Sequence, residues 1–123
     1  MKISSMSWVT LHVSDLEESV QFYNTQLGLP IERKLENVNN KIVFLGGADS
    51  AKIELLCEGG EKVENAGRGI TVGFCVEELD REIERLKGVV KGKIVGPIAP
   101  NPHIRFYMVP DPDGYQIQLY ENT

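Results

Sequence analysis

Lys41–Leu55 reads KIVFLGGADSAKIEL, and Arg105–Leu119 reads RFYMVPDPDGYQIQL. Position 41 falls on position 105, an offset of 64, and at that offset both stretches are an apolar strand, a turn of small or aspartate- and glycine-rich residues, and a second alternating strand. The likeness extends outward. Val13, Leu16, Val20, Tyr23 and Leu27 fall on Val76, Leu79, Ile83, Leu86 and Val90 when position 13 is laid on 76, an offset of 63. Two copies of one small unit therefore make up the chain, with a one-residue difference in length between helix and hairpin.

Bulk composition limits what such a chain can be. With 123 residues, 41% of them hydrophobic, there is apolar material for one core of ordinary size and none for a second independent domain. The expected organisation is one domain over 1–123, with module one at 1–58, a linker at 58–69 (the polar, glycine-rich Glu58–Gly69) and module two at 70–123. Lys plus Arg number 13 against 18 Asp plus Glu, a net charge of −5 with no basic stripe, which argues against a nucleic-acid partner. No apolar run approaches the roughly 20 residues that cross a bilayer, and the start MKISSMSWVT lacks the apolar stretch of a signal peptide, so a cytoplasmic protein without a membrane partner is expected. Cys57 and Cys75 have neither redox nor zinc spacing and read as reduced, buried thiols.

Each module reads as strand, helix, then three strands. Trp8–Val13 alternates Trp8, Thr10 and His12 on one face with Val9, Leu11 and Val13 on the other. Ser14-Asp15-Leu16-Glu17 has the form of a capping box in which the Ser14 hydroxyl accepts from the Glu17 N–H; Leu16, Val20, Tyr23 and Leu27 follow as one apolar stripe, and Gly28 supplies a left-handed stop. Strands are predicted over Pro30–Leu35, Lys41–Leu45 and Ala51–Cys57. In module two, a strand over Ile70–Val76 precedes a helix from Glu78 to about Lys87, stopped near Gly88; strands follow over Lys93–Ile98, Ile104–Val109 and Tyr115–Glu121. Asp111-Pro112-Asp113-Gly114 is a turn sequence, and Pro97, Pro100, Pro102 and Pro110 mark the region around the penultimate strand as loop and sheet edge.

On Val13-Ser14-Asp15-Leu16-Glu17-Glu18-Ser19, Phe22-Tyr23, Leu27-Gly28-Leu29 and Asp111-Pro112-Asp113-Gly114-Tyr115, the chain resembles the vicinal oxygen chelate superfamily over nearly its whole length. That group contains glyoxalase I, extradiol dioxygenases, methylmalonyl-CoA epimerases and bleomycin or fosfomycin resistance proteins. The resemblance implies an α+β fold in which two tandem βαβββ modules form a curved, mostly antiparallel concave sheet with helices outside. It also implies, for metal-dependent members, four side chains on the concave face that hold one divalent ion. Those positions fall here on Trp8, Glu54, Thr71 and Gln118. Tryptophan has no lone pair for a metal and neutral Thr71 and Gln118 are weak oxygen ligands, so zinc, nickel, manganese or iron is not expected as a cofactor.

Two functions from different classes follow. The first is a metal-free small-molecule binding protein of the bleomycin-resistance kind, its cavity walled by Trp8, Ile42, Phe44, Phe106 and Met108, with polarity from Glu54, Thr71 and Gln118 and with Thr10 and His12 on the Trp8 face. The second is a glyoxalase-like lyase or related enzyme with an unusual metal set or none. Its catalytic residues are unassigned, Glu54 being a weak candidate for a lone general base. Simpler readings stand beside these: Trp8 as an ordinary core aromatic, Glu54 turned to solvent with Lys52 on its strand face, and His103 as an exposed loop residue that either touches a ligand or does not. A displaced donor set of His12, Glu54 and Cys75 is a further alternative, although a two-residue step moves a donor about 6.6 Å along a strand. Incompletely closed sheets with free edges also point to a symmetric homodimer.

Overall fold

In the computed structural model, which describes residues 1–122, Trp8–His12 forms β1 and leads into helix α1 (Leu16–Val20), which continues as a π-helical segment, Gln21–Gln26. Strands β2 (Ile31–Glu36), β3 (Asn40–Leu45) and β4 (Lys52–Glu58) complete the first module. The plan recurs with β5 (Thr71–Cys75), α2 (Leu79–Lys87), β6 (Val95–Asn101), β7 (Ile104–Pro110) and β8 (Gln116–Asn122). The chain divides into two compact units, residues 1–64 and 65 onward.

Each unit has its own four-stranded sheet, in the orders β1-β4-β3-β2 and β5-β8-β7-β6. The pairs β1–β4 and β5–β8 are parallel, and the other neighbours are antiparallel. This is the α+β, twofold βαβββ architecture expected from the repeat. The register carries the duplication down to single residues: Phe44 pairs with Glu54 and Met108 with Gln118, while Trp8 pairs with Lys52 and Thr71 with Gln116.

One face of each sheet is closed by its helix. In the first unit Leu11, Val43, Leu45, Ile53 and Leu55 are buried, as are Phe22 and Tyr23 of the helical segment. In the second, Leu79, Ile83 and Leu86 of α2 are buried together with Tyr107, Val109, Ile117 and Leu119. A fully buried aliphatic side chain contributes about 1.5–3 kcal/mol, so these two faces dominate the stability of their units.

Several local expectations are corrected. The N-cap of α1 is Asp15, whose carboxylate accepts from the Glu18 N–H, rather than Ser14; the Ser14 hydroxyl instead accepts from the N–H of Val63 at 2.8 Å. The apolar stripe is shifted as well. Leu16, Val20 and Leu27 are only half-buried while Phe22 is buried, because the π-helical turn, with Leu27 N–H donating to the Phe22 carbonyl at 2.9 Å, adds a residue and rotates the packed face. Gly28 ends the segment at φ 84°. The strand expected over Lys93–Ile98 is β6, Val95–Asn101, so that residues 99–101, read as loop, are strand; it lies at the sheet edge, as expected, and contains both Pro97 and Pro100, which are tolerated there because one side of an edge strand needs no ladder donor. Cys75 is exposed and Cys57 half-buried, so the expectation of two buried thiols fails: Cys75 lies on the face away from α2.

Helix α2 is also tied to its sheet by charge. Asp80 is hydrogen-bonded by Arg105, which donates to Glu121 Oε1 at 2.7 Å, and by the Tyr107 hydroxyl at 3.3 Å. The Arg105 guanidinium, chiefly through its hydrogen bond, holds the Asp80 carboxyl below its ordinary value of 3.8. A depressed carboxyl stabilises the fold above the unfolded value and loses that contribution as pH falls through the folded one. Thermal melts of wild type and Asp80→Asn should therefore differ at neutral pH and converge in acid below 3.8; a gap that persists or widens in acid would contradict this.

Candidate functional site

With helices on one face of each sheet, period-two alternation sends every second side chain to the other face. In the first unit this open face is read straight from the register. Thr10 pairs with Glu54, Glu54 with Phe44, and Phe44 with Arg33, so one row crosses the sheet as Thr10, Glu54, Phe44, Arg33. The adjoining rows bring His12, Leu56, Ile42 and Leu35 to one side and Trp8 with Lys52 to the other. Trp8, Thr10, His12, Ile42, Phe44 and Glu54, the expected ligand residues of this module, thus share one face.

Phe44 anchors it. The Trp8 ring meets it edge-on, with centroids 5.5 Å apart and planes at 74°, and the Arg33 guanidinium carbon lies 4.7 Å from the Phe44 centroid. Trp8 remains 50% exposed, a wall of the face rather than a core aromatic. The Thr10 hydroxyl donates to Glu54 Oε1, so the carboxylate is oriented along the face. Lys52 is buried: its ammonium donates to the carbonyls of Gly47 and Ser50, the latter at 2.6 Å, and lies 3.5 Å from Glu32 Oε2. Gly46, at φ 143°, gives that side chain room, since a Cβ there would stand 3.0 Å from Lys52 Cδ. At this end of the sheet Trp8, Phe44, Arg33, Glu32, Asp49 and Lys52 line an open cleft of about 370 Å³.

His12 turns to a partner that the sequence did not suggest. Its Nδ1 is 2.9 Å from Glu58 Oε1, both side chains being about half exposed, at a small recess of about 140 Å³ beside Leu56 and Val63. Among the described residues, no three His, Cys, Asp or Glu side chains are placed to hold a metal ion.

The second unit repeats the open face with different chemistry. Thr71, Gly73 and Cys75 on β5, Gln116, Gln118 and Tyr120 on β8, and Met108 and Phe106 on β7 share it by register. Thr71, Phe106, Met108 and Gln118 therefore stand together. Glu54 is replaced by neutral Gln118, Trp8 by exposed Thr71, and Thr10 by Gly73, whose missing side chain leaves space beside Gln118 Oε1. His103 is exposed in the β6–β7 turn, where its backbone N–H donates to Asn101 Oδ1 at 2.8 Å.

The family model described as Glyoxalase/Bleomycin resistance protein/Dioxygenase superfamily matches residues 5–119. The chain belongs to that superfamily. A probable lactoylglutathione lyase of Vibrio cholerae is 36% identical over 124 aligned positions, which take in 91% of this chain and 86% of the relative. The lactoylglutathione lyase of Haemophilus influenzae is 32% identical, with 91% and 88% covered. Among solved structures, the trypanothione-dependent glyoxalase I of Leishmania major superposes with a TM-score of 0.82 at 26% identity, covering 97% of this chain and 87% of that one. TnmS3, an antibiotic binding protein from Streptomyces sp. CB03234, superposes at 0.77 and 22% identity over 100% and 99% of the two chains, a likeness of fold. Among the described residues, no helix is long and apolar enough to cross a membrane.

Proposed function

We propose that this superfamily member is a small-molecule binding protein that works without the divalent centre of its metal-dependent relatives. The observation that carries the reading is the chemistry around Glu54. It is the one strong donor at the four positions, its Oε1 takes the Thr10 hydroxyl, and its counterpart on β1 is an indole packed on Phe44. One carboxylate with two neutral oxygens is a poor set for zinc, nickel or iron. What the face offers instead is an aromatic wall, a fixed carboxylate and a cleft of about 370 Å³, within the roughly 300–1,000 Å³ of small-molecule sites. Trp8, Thr10, His12, Ile42, Phe44 and Glu54 take the ligand on the first unit, and Thr71, Phe106, Met108 and Gln118 have the same task on the second.

Trp8 is the only tryptophan, so its emission reports on this face alone. Titration with planar aromatic compounds should change that emission saturably. If compounds shown by calorimetry to bind leave it untouched, the assignment of the face is wrong. The lyase names of the full-length relatives favour a second reading, a glyoxalase-like enzyme with a non-standard metal set. Lactoylglutathione lyase activity that appears on adding zinc or nickel and vanishes in Glu54→Gln would establish it.

The assembly proposed is a symmetric homodimer. Outer strands β2 and β6 are exposed along their whole lengths, and Ile31, Leu35, Val95 and Ile98 stand on them; such edges gain by pairing. Light scattering should give about twice 13.7 kDa at micromolar concentration, and a mass near 13.7 kDa would refute the dimer.

A further inference from the structure

We infer that Arg33 is an anion-binding residue of this face and that the ligand class is a planar aromatic acid, a ring bearing a carboxylate or a similar oxyanion; the inference rests on the binding-protein reading above. Arg33 lies beside Phe44 in the β2–β3 ladder, and its guanidinium is stacked on the Phe44 ring at 4.7 Å. Beyond that stacking, the Arg33 side chain has no hydrogen-bond acceptor or ion-pair partner among the described residues. A guanidinium held over an aromatic ring keeps its planar fork of donors, the geometry that grips a carboxylate through two parallel hydrogen bonds.

The other charges nearby sharpen the choice. Lys52, the second cation lining the cleft, is committed to two carbonyls and to Glu32. Asp49 is an exposed residue of the β3–β4 turn. Glu54, two strands from Arg33 and bonded by Thr10, is about 10 Å away by strand spacing, beyond the screening length of about 8 Å at physiological ionic strength. Arg33 thus provides the uncommitted positive charge at the cleft, and the half-exposed Trp8 ring, seated against the buried Phe44, provides the apolar surface that an aromatic body requires.

The test uses the full chain and two probes of one shape, 2-naphthoate and the uncharged 2-naphthalenemethanol, titrated calorimetrically. The wild type should bind the acid about tenfold or more tightly than the alcohol, the preference shrinking as salt is raised. Arg33→Gln should abolish the preference while leaving alcohol affinity within about twofold, and Arg33→Lys should retain part of it, because charge without the planar fork is a weaker carboxylate ligand. Alcohol binding with no preference for the acid, or a preference that survives Arg33→Gln, overturns the role of Arg33 and leaves the binding-protein reading standing. Failure of both probes to bind the wild type overturns both.

Discussion

Replacing Leu55 with alanine should destabilise the protein by about 2–5 kcal/mol, the usual cost of emptying a closed aliphatic site. Leu55 is 0% exposed in β4, paired to Leu11 on one side and Val43 on the other, both also buried. A loss of that size is a large part of the about 5–15 kcal/mol that holds a typical domain together. The contrast with the preceding residue makes the experiment informative. Glu54 points to the opposite face, so Glu54→Gln should leave stability within about 1 kcal/mol. Urea unfolding of the two variants reads the register of β4 directly, since a slip by one residue would exchange the two faces. A Glu54→Gln variant less stable than Leu55→Ala would mean that the faces are assigned the wrong way round.

The same Glu54→Gln variant should weaken ligands that offer it a cation or a hydrogen-bond donor by about 1–3 kcal/mol, the cost of losing a charged acceptor, or roughly 5- to 150-fold in affinity at 1.4 kcal/mol per factor of ten. The carboxylate is oriented before any ligand arrives, because Thr10 donates to Oε1 and Phe44 stands beside it in the next strand. Glutamine keeps the shape and the hydrogen bond to Thr10 but removes the charge. Titrations followed by Trp8 emission or calorimetry would show the loss, and unchanged affinity for every such ligand would place the binding site elsewhere.

How much of this could be read beforehand depended on whether a feature is periodic. Strand faces were legible where alternation is local, so that Trp8, Thr10 and His12 could be grouped from spacing, whereas the inward facing of Phe106 and Met108 rather than Tyr107 rested on the register that the superfamily resemblance implies. Features that rest on contacts between distant residues were not. The Ser14 hydroxyl is used by Val63, 49 residues later, which left the cap to Asp15. The π-helical turn that carries Phe22 into the core has no signature in a stripe that fits an ordinary helix equally well. Arg33 was invisible for a related reason. Its place beside Phe44 follows a break in the β2–β3 register between Ile31 and Arg33, and alternation alone does not predict such a break. The pairing of His12 with Glu58 could have been suspected, because β1 runs parallel to β4 and Glu58 stands two residues beyond Leu56, the register partner of His12.

If Trp8, Thr71 and Gln118 leave Glu54 without the partners needed for a divalent ion, elemental analysis of the purified, dialysed protein will find no bound metal. Zinc, nickel, manganese and iron should each lie far below one equivalent per chain. Near-equimolar metal that survives dialysis and is lost in Glu54→Gln would contradict this and establish a metal centre built on Glu54.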